Sequence, residues 1–366
     1  MPDALTLPPK PDKMNQNKSV AFWLLTGVFM IYIQVILGGI TRLSGSGLSI
    51  TKWEIVTGTL PPLGHNAWEK AFDNYKASPQ YQKINRNMTL PQFKKIFFWE
   101  WFHRLWARSM GFVFLIPFLW FLYKRKFNRK YLIKVSLVFL LGAMVGIFGW
   151  LMVKSGLEDR PSVSPYLLAA HLLLALLTMA YTFRLALEWL QGSHSSASNK
   201  KLSHFSCWII GFLVLQVTFG AVLSGMHGAL YYPTWPDMGG RFMPEVMHHS
   251  SNWTLTSFRN FETNLFPIAF IHFFHRMIAY SIFLLIMVFL FIALRQHLSP
   301  SASIMLWIIP SILTAQIVLG IYTVLGAIGH IPVTVGVWHQ AVGILLLFSF
   351  LFMSFQLRVD SPKQSV

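Results

Sequence analysis

Residues 98–122 read FWEWFHRLWARSMGFVFLIPFLWFL, and residues 267–294 read PIAFIHFFHRMIAYSIFLLIMVFLFIAL. Each run is long enough to cross a bilayer, which takes about 20 apolar residues of helix. Lipid offers no partner to backbone N–H and C=O groups, so spans of this kind are helices. The two runs also match each other. Phe102-His103-Arg104 is followed by Ala107 and Ser109, and Phe274-His275-Arg276 by Ala279 and Ser281, at the same offsets. One pair of stretches thus points to a membrane protein and to an internal duplication.

Six further apolar windows flank these two, giving spans at about 20–40, 98–122, 132–153, 166–190, 204–225, 267–294, 303–326 and 334–357. The bulk composition agrees. Only 12% of residues are charged and the mean hydropathy is +0.50, whereas soluble domains carry about 25% charged residues. The formal net charge of +17 does not indicate a nucleic-acid partner. The basic residues cluster between apolar stretches, as in Lys124-Arg125-Lys126-Phe127-Asn128-Arg129-Lys130, rather than forming a groove with interleaved aromatics.

These clusters set an orientation. The 124–130 link, Lys200 and Lys201, and Arg295 with His297 fall on one side, together with Lys10, Lys13, Lys18, Arg358 and Lys363 of the two tails. Positive residues collect in the cytoplasm, so both termini are expected there, in a bacterial inner membrane. The N-terminal stretch carries Asp3 and Asp12 and lacks the pattern of a cleaved leader. On the other side lie two long connections, 41–97 and 226–266, whose length suggests functional covers.

The duplication extends through the chain. Gln34 and Gly38 in the first span correspond to Gln216 and Gly220 in the fifth, and Gln316 and Gly320 in the seventh share the spacing. The third span keeps Gly149 but has Val145 in place of glutamine. Close helix packing accounts for a small residue repeated in this way. The expected fold is an all-α integral membrane protein of eight transmembrane helices, arranged as two duplicated four-helix bundles related by a pseudo-two-fold axis along the membrane normal. The expected parts are a tail at 1–19, a first half at 20–192, a linker at 193–203, a second half at 204–357 and a tail at 358–366.

Ionisable groups inside a membrane are costly and tend to be functional. His103, His171, His275 and His339 lie in even-numbered spans, near the end facing away from the cytoplasm. A lone histidine would read as a packing residue. Four at matched positions, two per half, suit axial ligation of haem iron from both faces, hence two haems. Arg104 and Arg276 follow two of these ligands, and each reads either as a propionate partner or as a snorkelling interfacial arginine. Glu100 lies one turn before His103, and its counterpart is His272. It reads either as a proton relay or substrate contact, or as an interfacial acid paired with Arg104 or Arg108. The loop histidines read as solvated, with His248-His249 a weak metal candidate. The one cysteine, Cys207, excludes an intrachain disulfide and any cysteine-based metal centre.

Several segments, taken in order, resemble the haem A synthase family in its longer proteobacterial and mitochondrial branch. They are Gly38-Gly39-Ile40-Thr41-Arg42-Leu43 with Ser46-Gly47-Leu48-Ser49, WEIVTGTLPP at 53–62, MTLPQFKKIFFWEWFHRLWAR at 88–108 with its Glu-x-x-His-Arg core, Gly149-Trp150 leading to Val153-Lys154-Ser155-Gly156-Leu157, YPTWPDM at 232–238, His275-Arg276, and Trp338-His339-Gln340. The resemblance covers nearly the whole chain.

The resemblance implies oxidation of the C8 methyl of haem O to a formyl group by successive hydroxylations, giving haem A for terminal oxidases. It implies that His103 and His171 hold the substrate haem, that His275 and His339 hold a haem b that passes electrons, and that Glu100 is the catalytic acid. Implied partners are haem O delivered by haem O synthase and an electron donor; lipid follows from the apolar spans, whose exposed faces also allow a homo-oligomer. Some members, chiefly the shorter ones, carry paired loop cysteines; with Cys207 alone, a loop disulfide has no part here. Two other readings stay open from the residues: a diheme b-type electron carrier, and a haem transporter or assembly factor.

Overall fold

A computed structural model describes residues 18–52, 57–158, 160–192 and 199–358. The tails at 1–17 and 359–366, linker residues 193–198, and Trp53 to Val56 of the WEIV segment lie outside the described residues.

Eight helices are long and apolar enough to cross a membrane: α1 Lys18–Leu43, α2 Leu90–Tyr123, α3 Arg129–Leu157, α4 Pro165–Gln191, α5 Lys200–Gly225, α6 Leu265–Ala293, α7 Pro300–Leu325 and α8 Val333–Gln356. No strand occurs among the described residues. All eight expected spans are present. The starts are set by local chemistry. Asn128, Ser164, Asn199, Asn264 and Ser299 each cap a helix by accepting from a backbone N–H in the first turn, and Pro165 and Pro300 occupy the tolerant first position.

One boundary differs. α2 begins at Leu90, capped by Thr89 with Gln92, well before residue 98. Lys94 and Lys95 lower the hydropathy of this first stretch, yet they face outward while Phe93 and Phe97 are buried. These two phenylalanines pack with Phe72, Tyr75 and Trp68 under a loop helix at His65–Lys76. The first outer connection is therefore a folded cover with its own aromatic core. The second has a smaller core, around Met247, Phe266 and Phe258.

Helix neighbours repeat between the halves. α1 packs on α2 and α4, and α4 carries α3; α5 packs on α6 and α8, and α8 carries α7. The halves meet where α4 lies on α5 and α1 on α8. α2 and α3, consecutive in the chain, hardly touch, and α6 and α7 are nearly as far apart. The main apolar core spans both halves, with Val28, Leu176, Ile209, Ile282, Ile309 and Leu347 among its members. Large apolar side chains such as Phe112, Trp208 and Trp307 stay exposed on the outer faces, where lipid would cover them.

Candidate functional site

Each of the four histidines sits against a glycine of an odd-numbered helix. A Cβ on Gly38 would lie 3.3 Å from His103 Nε2, and one on Gly149 3.0 Å from His171 Cε1. A Cβ on Gly220 would lie 2.9 Å from His275 Cε1, and one on Gly320 2.8 Å from His339 Cε1. Any larger residue would push the ring aside. The repeated glycine is thus a seat for the imidazole. Packing of small residues suggested a helix contact at these positions, but the ring it accommodates was not legible from spacing alone.

The residue four before each glycine completes the seat. His171 Nδ1 lies 3.0 Å from Val145 O, and His339 Nδ1 3.2 Å from Gln316 O. A carbonyl only accepts, so Nδ1 carries the proton and Nε2 keeps its lone pair. The glutamine side chains agree with this tautomer. Gln34 Nε2 lies 2.9 Å from His103 Nε2, Gln216 Nε2 3.3 Å from His275 Nε2, and Gln316 Nε2 3.5 Å from His339 Nε2. An amide nitrogen only donates, so each imidazole Nε2 is presented as an acceptor. The Oε1 atoms of Gln34, Gln216 and Gln316 are buried without partners. His171 faces Val145 and has no such amide.

His103 and His171 lie near enough for their charges to interact, as do His275 and His339. All four rings are deep among protein atoms, yet each is only half-buried. Among the described residues no three His, Cys, Asp or Glu side chains gather to hold a bare metal ion. Two neutral imidazoles per half, each offering Nε2, suit a metal that brings its own in-plane ligands. The donor set therefore fits haem iron.

Glu100 is 3% exposed and fully engaged. Its Oε2 accepts from Ser49 Oγ at 2.7 Å and from the Ile50 N–H at 2.9 Å, and its Oε1 accepts from Arg104 NH2 at 2.5 Å. Arg104 also donates to Ile50 O at 3.3 Å. The equivalent pair in α6 is His272 and Arg276. His272 Nε2 lies 3.2 Å from Arg276 NH2. Arg276 donates to Thr234 O and Asp237 O at 2.7 Å each, and to Tyr232 O and Pro236 O at 3.4 Å each. Both arginines anchor an outer loop by its backbone carbonyls. Arg276 Nε and His272 Nδ1 are buried without partners.

Of the other histidines, His248 and His249 are exposed, and no metal-binding group forms around them. His65 pairs with Glu69 at 3.4 Å on the surface. His227 is different. It follows α5 with a left-handed backbone, φ 54°, and lies near Arg42. The sequence offered no signal for that pairing beyond an arginine at the end of one span.

A sequence profile of the family described as Cytochrome oxidase assembly protein matches residues 21–351. The chain is 39% identical to a protein named Heme A synthase from Nitrosospira multiformis, covering 96% of this chain and 98% of that one. It is 39% identical to Heme A synthase from Flavobacterium psychrophilum, over 91% of this chain and 96% of that one. A third, Heme A synthase from Bradyrhizobium diazoefficiens, is 38% identical over 90% of this chain and 89% of its own length. Matches of this extent, over a fold that presents two pairs of seated imidazoles, show that the chain belongs to the Cytochrome oxidase assembly protein family that includes these heme A synthases.

Proposed function

We propose that this protein is a haem A synthase, converting the C8 methyl of haem O to a formyl group. Two successive hydroxylations of that methyl give a geminal diol, which loses water to the aldehyde. Each hydroxylation adds one oxygen atom and removes two electrons from the carbon, so it needs an external oxidant and oxygen source, with haem supplying the redox chemistry when bound. The relatives' names support this reaction, and one structural observation carries it. The two halves present the same His, Gly and Arg arrangement but differ at one buried position, Glu100 against His272. A pure electron carrier has no need of that difference.

In this reading His103 and His171 hold the substrate haem, and His275 and His339 hold haem b. Glu100, one turn from His103, takes the proton released at the methyl. Its three present partners all donate, which fixes the carboxylate in place one turn from the ligand His103. Arg104 and Arg276 fasten the outer loops over the outer edges of the two haems, and Arg276 retains Nε as a donor toward a propionate. The poor contact between α2 and α3 opens the first half sideways to lipid, which suits an apolar substrate delivered by haem O synthase within the membrane.

The repeated neighbour pattern supports two halves, 20–192 and 204–357, related about an axis along the membrane normal. In the same reading both termini lie in the cytoplasm of a bacterial cell, and an electron donor serves the second half. Self-association through the exposed helix faces is part of the same proposal. The test is to purify the protein and extract its haems. Haem B together with haem O or haem A is expected. Haem B alone, with no haem A formed when haem O is co-supplied, overturns the assignment in favour of a diheme carrier.

A further inference from the structure

Arg42 ends the face of α1 that carries the first seat. Positions 34, 38 and 42 stand one turn apart on one side of the helix, so Arg42 lies about 6 Å outward of Gly38, which abuts His103. Its NH2 group is buried and bonds to nothing, and no carboxylate pairs with it among the described residues. A guanidinium with one nitrogen buried, unbonded and without a counter-charge is costly. Its electrostatic neighbour is not an acid but His227, from the opposite half. Burial and the nearby Arg42 hold that imidazole down at about 4, so it is neutral and able to donate a hydrogen bond without adding a second positive charge. The left-handed backbone of His227 is an unusual conformation for a residue with a Cβ, a form of strain that tends to mark functional positions.

The arrangement is not repeated. Counterparts of Arg42 after the other three seat glycines are Val153, Ser224 and Val324. The first half alone therefore has an arginine one turn beyond a seat glycine. Arg104 and Arg276, the other arginines near the ligands, already bond to outer-loop carbonyls.

We propose that Arg42 and His227 form a carboxylate subsite that takes a propionate of the haem held between His103 and His171. The unpartnered NH2 of Arg42 and the ring of His227 supply the donors. Fixing one propionate orients the macrocycle, so that a single methyl faces Glu100 and its neighbours do not. The subsite is thus a specificity device for the proposed reaction, and it rests on haem occupying the first half.

The test compares binding of haem O with binding of its propionate dimethyl ester, by absorbance titration of protein purified from cells making no haem O. On the proposed function the second half keeps its own haem through purification, so the titration reads the first half. Wild type is expected to bind the free acid about tenfold to a hundredfold more tightly than the ester, the range for a charge-assisted hydrogen bond. Arg42→Gln should bind both alike, and Arg42→Lys should recover part of the preference. A folded Arg42→Gln protein that keeps the wild-type ratio overturns the proposal, as does a wild type with no preference. If Arg42→Gln elutes as aggregate, His227→Gln and Arg42→Lys carry the same comparison. A His103→Ala protein that takes up haem O like wild type would instead sink the first-half site itself.

Discussion

Glu100 and Arg104 form a 2.5 Å ion pair one helical turn apart, and together they hold the first outer loop through Ser49 and Ile50. Arg276 holds the second outer loop in the same way, but with His272 as its helical neighbour. The latch is common to both halves; the carboxylate is not. Whatever Glu100 does beyond latching is therefore particular to the first half.

This separates two substitutions. Glu100→Gln keeps the shape and its Oε1 can still accept from Ser49 and Ile50, while its amide nitrogen no longer accepts from Arg104. It is expected to fold, to retain the haem of the second half, and to lose most haem A formation, read as the ratio of haem A to haem O in extracts. Both lose the ion pair with Arg104, but Glu100→Ala also leaves Ser49 Oγ and the Ile50 N–H without their acceptor, about 1–3 kcal/mol for each buried group, so its melting temperature should fall further. Equal haem A output from Glu100→Gln and wild type would refute a chemical role for the carboxylate.

The seat glycines give a steric prediction. A methyl on Gly320 would meet His339 Cε1 at 2.8 Å and Nδ1 at 3.3 Å. The ring must move, and overpacking of this kind costs about 1–3 kcal/mol. Gly320→Ala and Gly220→Ala are expected to lower the haem retained by the second half and to shift its absorption bands. Gly111→Ala, where nothing lies within 4 Å, should leave haem content unchanged and gain up to about 1 kcal/mol of helix propensity. Unaltered spectra in both seat variants would mean that the imidazoles do not need the room.

Much of this arrangement was legible beforehand, because membrane helices write themselves in hydropathy and a duplication writes itself in offsets. The eight spans and the matched His103, His171, His275 and His339 came from those signals alone. The start of α2 did not, since Lys94 and Lys95 mask an amphipathic turn whose apolar side packs on a loop helix. Nor did the partners of the arginines. Hydrogen bonds from Arg276 to four carbonyls some 40 residues away depend on loop folding, which no periodicity encodes. Arg42 and His227, from opposite halves, come near enough to interact electrostatically and share no motif.

Acid should weaken the outer side of the protein through His227. Its imidazole is held at about 4 by burial and by Arg42, below the ordinary 6.5 that the unfolded chain would show. The unfolded state therefore binds the proton first. Stability from this group is complete above pH 6.5, and falls progressively as pH drops toward 4. Melting temperatures measured at pH 7 and pH 5 should differ more for wild type than for His227→Gln. Identical differences would show that the ring is solvated.

The assignment of the halves makes a prediction that separates the two haems. If the second half keeps haem b as a resident group, His275→Ala removes an axial ligand from tightly held iron, and the protein should be purified without its haem b signal. His103→Ala acts on an exchangeable substrate. It should leave haem b in place, with its reduced-minus-oxidised bands intact, while haem O is no longer bound or converted. The imidazole seats bear on the same point. His275 and His339 each receive a glutamine amide at Nε2, whereas in the first half only His103 does, and His171 lacks the amide that the other three imidazoles share. The pair in which both rings receive an amide is the one expected to retain iron through purification. Loss of haem b from His103→Ala, with retention in His275→Ala, would reverse the two roles and leave Glu100 beside the cofactor instead of the substrate.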